Sequence, residues 1–452
     1  MTEDRALSEV VETVRERVTP DDDERRALSR IADDLVSRAE EATTDLPVEA
    51  DVLRAGSTAR DTWLAGDRDI DVFVRFPPDL DRADLERYGL AVGHEVLPDG
   101  REEFAEHPYV VGEVEGFDVD LVPCYRLESA TEIRSAVDRT PFHTRYVENA
   151  LTPALAGEVR VLKAFLSAHG LYGSDLRTEG FSGYLTELLV IEYGGFEGVC
   201  TAAADWHPPV ELDPEDHGEA SFDDPLVVID PTDPERNVAA VLSETNVARF
   251  QHHARALLAD PTVERFEPEE PAPLSGDEIR ALVERRGTTP VGVRFDVPEI
   301  VDDQLYPQLR RTLAGLTERL ARHGFEPLRA EAVAEDSALL LVECAVASLP
   351  RIERHLGPPV HVRTHAEAFT DAYAEDGGSF GPFVDGERYV VERPREFTAP
   401  AELVEVTLFD GPLGPDVERA LEGGYDLLVG EEVASLAGEF GSDLARYYDP
   451  RP

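Results

Sequence analysis

GSTARDTWLAGDRDIDVFVRFP (56–77) is the stretch that decides how this chain reads. With the preceding residues, DVLRAGS (51–57) is a short strand running into a Gly-Ser turn, and TARDTWL (58–64) suits a helix start. DIDVFVRF (69–76) alternates polar and apolar residues, the pattern of a half-buried strand. GFDVDLVPCY (116–125) repeats that alternation and is expected to stop at Pro123. Residues i and i+2 of a strand point the same way, so Asp69 and Asp71 present their carboxylates on one face. Two hard oxygen donors a few ångströms apart suit Mg²⁺, with Asp118 or Asp120 of the neighbouring strand as a third ligand. Gly56 lets backbone approach a phosphate closely, and Ser57 stands where a helix N-cap would, its hydroxyl beside the N–H groups that hold phosphate oxygens. A D-x-D triplet alone means little in so acidic a chain. The conjunction of strand, Gly-Ser turn, helix start and D-x-D within an alternating strand carries the signal.

The 452 residues hold 43 Lys+Arg against 94 Asp+Glu, a formal net charge of −51. Because 42% of residues are hydrophobic and the acid is spread along the chain, this is no disordered acidic tail. Such charge costs self-repulsion in dilute buffer and suits near-molar salt, where the Debye length falls to ~3 Å. The composition therefore reads as that of a salt-loving cytoplasm. By itself it argues against a nucleic-acid partner, since polyanions repel. Cys124, Cys200 and Cys344 lie far apart, which excludes a disulfide framework and a Cys-based zinc site. The acidic start MTEDRALSEV has no apolar signal core, and no run of 18 uncharged apolar residues suggests a membrane span.

Outward from the opening stretch, residues 5–19 and 23–43 read as amphipathic helices, and the first part of the chain (1–148) as a mixed sheet with helices on one side. Residues 149–268 read as mostly helical: GEVRVLKAFLSAHG (157–170), GYLTELLVIEYGGF (183–196), and one or two helices within 234–260 starting after Pro234. FEPEEPAPLSGDE (266–278) is a Pro-rich linker. Residues 269–452 alternate types: a strand at PVGVRF, a helix over 305–324, and strands at 337–346, 387–392 and 402–409. Helices close the chain. The β-α-β-β order suggests a ferredoxin- or RRM-like module with extra helices. The expected class is thus α+β and multidomain.

GSTARDTWLAGDRDIDVFVRFP resembles the signature of the polymerase-beta-like nucleotidyltransferases. Together with FDVDLVPCY, SAVDRTPFHTRY, VRVLKAFLSAHGLYG, GFSGYLTELL and DPTDPERNVAA, it is similar to the archaeal-type (class I) CCA-adding enzymes, most clearly over residues 25–260. That family adds C, C and A to the 3′ end of tRNA from CTP and ATP without a nucleic-acid template. The resemblance implies a nucleotidyltransferase head, a helical central nucleotide-binding domain, and a C-terminal tRNA-binding body and tail. It implies Asp69, Asp71 and Asp120, rather than Asp118, as catalytic metal ligands. Gly56, Ser57 and Arg60 then fall at the nucleotide's phosphates, with His143, Lys163 and Tyr172 around the triphosphate, Ser182 near the nucleotide, and Arg236 at the incoming base. The family often carries Glu where this chain has Asp69, and the shorter carboxylate still ligates Mg²⁺. A homodimer is compatible with the family.

Lys163 is the one lysine of the chain. Everywhere else arginine stands in, so a role that a guanidinium does not fill is expected here; a compact ammonium fits a triphosphate slot. The alternative for Lys163 is a solvated helix position, and for Arg236 a surface partner near a helix start. Trp63 and Trp206 are assigned to packing. RIERHLGPPVHVRTH (351–365) holds three arginines, three histidines and one acid, a local positive island suited to RNA phosphates or, alternatively, a neutralised surface loop. The rival functions are a poly(A) polymerase or an antibiotic-modifying enzyme of the same fold, and an inactive RNA-binding scaffold.

Overall fold

The computed structural model describes residues 3–104, 106–374 and 376–452. The chain forms two compact units, 1–269 (with Pro452) and 270–451.

The first unit opens with helices α1 (Glu3–Val18) and α2 (Asp22–Thr44). Asp21 caps α2 through a capping box with Glu24, which is why the acidic triplet starts the helix. Then come β1 (Asp51–Ala55), the single turn α3 (Gly56–Ala59), β2 (Asp69–Phe76), α4 (Arg82–Val96), β3 (Arg101–Phe104), β4 (Pro108–Val114) and β5 (Phe117–Tyr125). The sheet order is β1-β2-β5-β4-β3, with β2 and β5 parallel. Ile70, Val72, Val74 and Phe76 of β2 pack under Leu28, Ile31 and Leu35 of α2 and Leu85 and Val92 of α4. The alternate residues, Asp69 and Asp71, therefore face away from the helix layer. Trp63 is buried in this same core.

Two local expectations change. Residues 58–64 make no helix beyond the turn that ends at Ala59. β5 runs through Pro123 to Tyr125. Asp118 and Arg126 donate their N–H groups toward β2, whereas Tyr125 donates to Asp138 on the opposite edge. By alternation Pro123 belongs to that opposite edge, beyond the last β4 pair at Val110↔Leu121, so its missing N–H costs no ladder bond.

The rest of this unit contains α5 (Thr140–Ala150), α6 (Pro153–Ala168), α7 (Gly183–Tyr193), α8 (Phe196–Ala204), β6 (Val210–Leu212), β7 (Leu226–Asp230), β8 (Asp233–Asn237) and α9 (Glu244–Ala259). Their core includes Leu162, Phe165, Leu188, Phe196, Trp206 and Phe250, joined by Leu7, Val11 and Val14 of α1. The segment is mostly helical as expected, and the small three-stranded sheet β6-β7-β8 is an addition to it. LVVID is buried at all five positions, a short apolar run that periodicity does not assign. Residues 233–237 are a strand, and helix begins only at Glu244, capped by Ser243.

The second unit has α10 (Gly276–Arg286), β9 (Thr289–Asp296), α11 (Asp302–Arg322), β10 (Pro327–Ala334), β11 (Ser337–Cys344), β12 (Ile352–Pro359), α12 (Arg363–Tyr373), β13 (Phe380–Asp385), β14 (Arg388–Pro394), α13 (Pro400–Thr407), α14 (Pro415–Gly423), β15 (Tyr425–Val429) and α15 (Ala437–Tyr448). The antiparallel sheet β10-β11-β9-β15, crossed by α11 and α14, has ferredoxin-like order. β11 is buried throughout because Leu340 and Val342 face one helical layer while Leu339 and Leu341 face another. A second sheet, β12-β14-β13, is inserted after β11.

Residues 402–409, expected as a strand, are α13 and a following 3₁₀ turn. Pro400 starts the helix, Leu403, Val404 and Leu408 are buried, and Val406 is 64% exposed, a helical rather than an alternating period. The positive island lies on β12 and the start of α12, not on a loop. Two of its three arginines have acidic neighbours: Arg354 pairs with Asp385, and Arg363 with Glu367 at 2.7 Å.

Candidate active site

The parallel register of β2 and β5 sets Asp69 opposite Asp118 and Asp71 opposite Asp120, all on the face opposite α2 and α4. Burial raises the Asp71 carboxyl above its ordinary value and Asp69 adds to this, while Arg60 and Arg54 oppose it. Burial likewise pushes Asp120 up to about 6, reinforced by Asp71, Glu103, Asp69 and Asp118. Asp69 is raised by burial, Asp67 and Asp118. Each carboxylate thus destabilises the others' charge, the electrostatics of a donor set that a divalent cation completes. Among the described residues no group of three His, Cys, Asp or Glu side chains is placed to hold a metal ion by itself. Asp118 and Asp120 line an open cleft that continues to Asp99, Arg101 and Glu103, while Asp69 and Asp71 are not among its lining residues. The donor set therefore fits an oxygen-preferring divalent ion that also takes ligands from a substrate.

Gly56 connects the turn to this acid pair. Its φ is +73°, and a Cβ there would lie 1.7 Å from Asp71 Oδ2. Only glycine lets β1 turn against that carboxylate. Ser57 is not the N-cap: Ala55 occupies that place with no side-chain cap bond, and Ser57 sits inside the turn.

Arg60, which follows the turn, reaches helix α7. Its Nε donates to Glu187 Oε1 at 3.0 Å and its Nη1 to Thr144 Oγ1 at 3.2 Å. Thr62 donates to the same Glu187 oxygen, and Glu187 Oε2 is buried with no hydrogen-bond partner. Glu187 is 0% exposed, so this is a buried charge held by Arg60 and facing Lys163.

Lys163 is 2% exposed on the inner face of α6, which removes the solvated alternative. Burial lowers its ammonium to about 8, Glu187 resists that shift, and Arg60 adds to it. Its Nζ lies 5.8 Å from the centre of the Tyr172 ring. The Tyr172 hydroxyl and Lys163 Nζ both border the first turn of α7 at Gly183. Ser182 caps that helix, its Oγ accepting from Leu185 N at 3.0 Å.

One turn away is a second assembly. Asp230 ends β7 and is 0% exposed. Its Oδ2 accepts from His143 Nε2 at 2.8 Å and Arg236 Nη1 at 2.7 Å. Its Oδ1 accepts from Tyr184 and from the N–H and hydroxyl of Thr232. Burial would raise Asp230, but these donors hold it well below the usual carboxylate range. Against an ionised carboxylate, Nε2 is the protonated nitrogen of His143, whose ring stacks on Tyr184 at 3.8 Å. Arg236 lies on β8, not at a helix start.

The residues named from the sequence thus gather around three centres: Gly56 with Asp69, Asp71 and Asp120; Arg60 with Lys163, Tyr172 and the α7 start; and His143 with Arg236. Sequence reasoning missed Glu187, Asp230, Tyr184, Thr62 and Thr144. A signal existed for the first two, since Glu187 is the lone acid of the buried run LTELLV (185–190) and Asp230 ends the buried run LVVID (226–230).

Residues 36–143 match the nucleotidyltransferase domain, 157–267 the second domain of tRNA nucleotidyltransferase, and 286–430 the C-terminal domain of CCA-adding enzymes. Among curated proteins, the chain is 60% identical over 459 residues to the CCA-adding enzyme of Haloarcula marismortui, covering 98% of both chains. It is 57% identical to that of Halobacterium salinarum, again covering 98% of each. The CCA-adding enzyme of Methanosarcina barkeri is 39% identical, covering 94% of each.

Proposed function

The chain belongs to the CCA-adding enzyme family, and from that premise we propose how its residues add C, C and A to the 3′ end of tRNA. The enzyme is a nucleotidyltransferase acting on tRNA with nucleoside triphosphates. The observation that carries this reading is 60% identity to such an enzyme across 98% of both chains. The halophilic composition accords with the haloarchaeal relatives.

The site uses a divalent metal, for which we propose Mg²⁺ held by Asp69, Asp71 and Asp120. When bound, the ion supplies a lowered hydroxyl pKa and neutralises charge that develops on phosphate. Asp118 is the more exposed carboxylate and lies opposite Asp69, whereas Asp120 is partly buried opposite Asp71, which supports Asp120 as the third donor. Arg60, Ser57, Lys163 and Tyr172 then grip the triphosphate, with Glu187 holding Arg60 in place. His143 lies beside the triphosphate and Arg236 reads the incoming base, both on Asp230. Ser182 contributes by capping α7 beside Lys163. The pyrophosphate leaves against the cations of Arg60 and Lys163. The proposed division is a catalytic head over 1–148, a nucleotide-binding domain over 149–268 and a tRNA-binding body and tail over 269–452. A cytoplasmic setting and a homodimer accompany the family reading; among the described residues no helix is long and apolar enough to cross a membrane.

Lys163 makes a pH prediction. Its lowered value means that the unliganded enzyme loses this positive charge as pH rises through about 8, well below the ordinary 10.5. The ammonium is the form that attracts phosphate. KM for CTP and ATP is therefore expected to rise from pH 7.5 to 9.5 with kcat less affected, and direct nucleotide binding to weaken in parallel. A flat binding profile across that range would remove Lys163 from the triphosphate site.

The reading is tested by incubating the protein in near-molar KCl with tRNA lacking its 3′ CCA, supplying CTP, ATP or both. Addition of C-C with CTP alone, and of C-C-A with both, is expected. Runs of A from ATP alone would select a poly(A) polymerase, and binding without turnover an inactive scaffold.

A further inference from the structure

Arg236 and His143 come from elements 93 residues apart in sequence, on β8 and α5, yet both donate to one oxygen, Asp230 Oδ2. The carboxylate is fully buried, and its other oxygen is saturated by Tyr184 and Thr232. Tyr184 closes the assembly by stacking on the His143 ring. Arg236 remains 31% exposed, so one guanidinium nitrogen is tied down while the group still reaches solvent. Shifting either donor changes what the shared oxygen offers the other.

We propose that Asp230 is a positioning residue that ties Arg236 to His143, so that choice of the nucleotide base and grip on the triphosphate are set together. This deepens the proposed function and rests on its reading of Arg236 and His143. A carboxylate fits because both oxygens must accept, Oδ2 from Arg236 and His143 and Oδ1 from Tyr184 and Thr232, and its charge strengthens the bond to the guanidinium. An amide of the same shape turns either its NH₂ toward those donors or a weaker, neutral carbonyl.

The test compares Asp230→Asn, Arg236→Ala and the double variant in near-molar KCl. Steady-state kcat and KM are measured for CTP on tRNA lacking CCA and for ATP on tRNA ending in CC, with UTP and GTP as wrong nucleotides. Arg236→Ala is expected to lower discrimination between correct and wrong bases. Asp230→Asn should lower it by about tenfold, chiefly through KM, and the double variant should lie within about threefold of Arg236→Ala alone, because the two act as one unit. The inference is overturned if Asp230→Asn keeps normal discrimination while Arg236→Ala loses it, or if the two losses multiply. If Arg236→Ala itself discriminates normally, the reading of Arg236 falls and the inference with it. Should Asp230→Asn fail to fold, Thr232→Val decides. It withdraws one donor from Oδ1 and leaves Oδ2 untouched. A drop in discrimination of about threefold at unchanged melting temperature supports the coupling, and unchanged discrimination overturns it.

Discussion

Replacing Asp71 by Ala is expected to abolish nucleotide incorporation while tRNA binding persists. Asp71 is the most enclosed of Asp69, Asp71 and Asp120 and lies opposite Asp120 in the parallel register. Its charge is disfavoured by burial and by Asp69, an arrangement that gains only when a cation or a nearby arginine offsets it. The fold does not need that carboxylate: β2 is held by Ile70, Val72, Val74 and Phe76 on its other face. Losing a metal ligand removes several kcal/mol of transition-state stabilisation, so the drop in kcat/KM should be about 10³-fold or more. Single-turnover incorporation and a separate tRNA-binding measurement in high salt check this. Near-normal turnover would sink the metal assignment, and lost tRNA binding would show the change to be structural.

Gly56→Ala should be almost as damaging, through geometry alone. The added methyl carbon would fall 1.7 Å from Asp71 Oδ2 and 2.8 Å from its Cγ, at a φ of +73°. The conformational cost of a left-handed alanine is only about 1 kcal/mol. The clash costs more, because the carboxylate must swing away from Asp120 or the turn must move. Activity is expected to fall about 10²-fold or more, as when a catalytic group is displaced by an ångström. Gly66→Ala is the control: its φ is +88°, with nothing within 4 Å of a Cβ. It should show the conformational cost in its melting temperature and keep its activity. Equal activity losses in both variants would mean that backbone strain, and not the Asp71 contact, is responsible.

The two active strands were legible because their chemistry and their packing share one period. In DIDVFVRF, alternation reports both the buried face and the side on which Asp69 and Asp71 must lie. The same pattern makes β5 readable, although Pro123 reads as its end; an outer edge without ladder bonds is a tertiary fact. Lys163 was legible from composition, as the one position where arginine did not replace lysine. Residues 402–409 read as a strand because ELVEVTLF supports two periods, and the burial of Leu403 and Val404 side by side chooses the helix. LVVID escapes any pattern because five consecutive buried residues carry no period at all.

What the sequence determined by itself was the chemistry on offer: the acid pair, the glycine turn, the spared lysine, and a charge of −51 that reports a salty solvent and does not exclude an RNA partner. In near-molar salt, counterion release contributes little, and recognition rests on short-range contacts. Only the tertiary structure decided which residues share a partner. Arg60 and Glu187 are 127 residues apart, and His143 and Asp230 are 87 apart. No local pattern encodes such pairings. They arise when α5, α7, β7 and the segment after α3 pack together and set each buried carboxylate beside its donors.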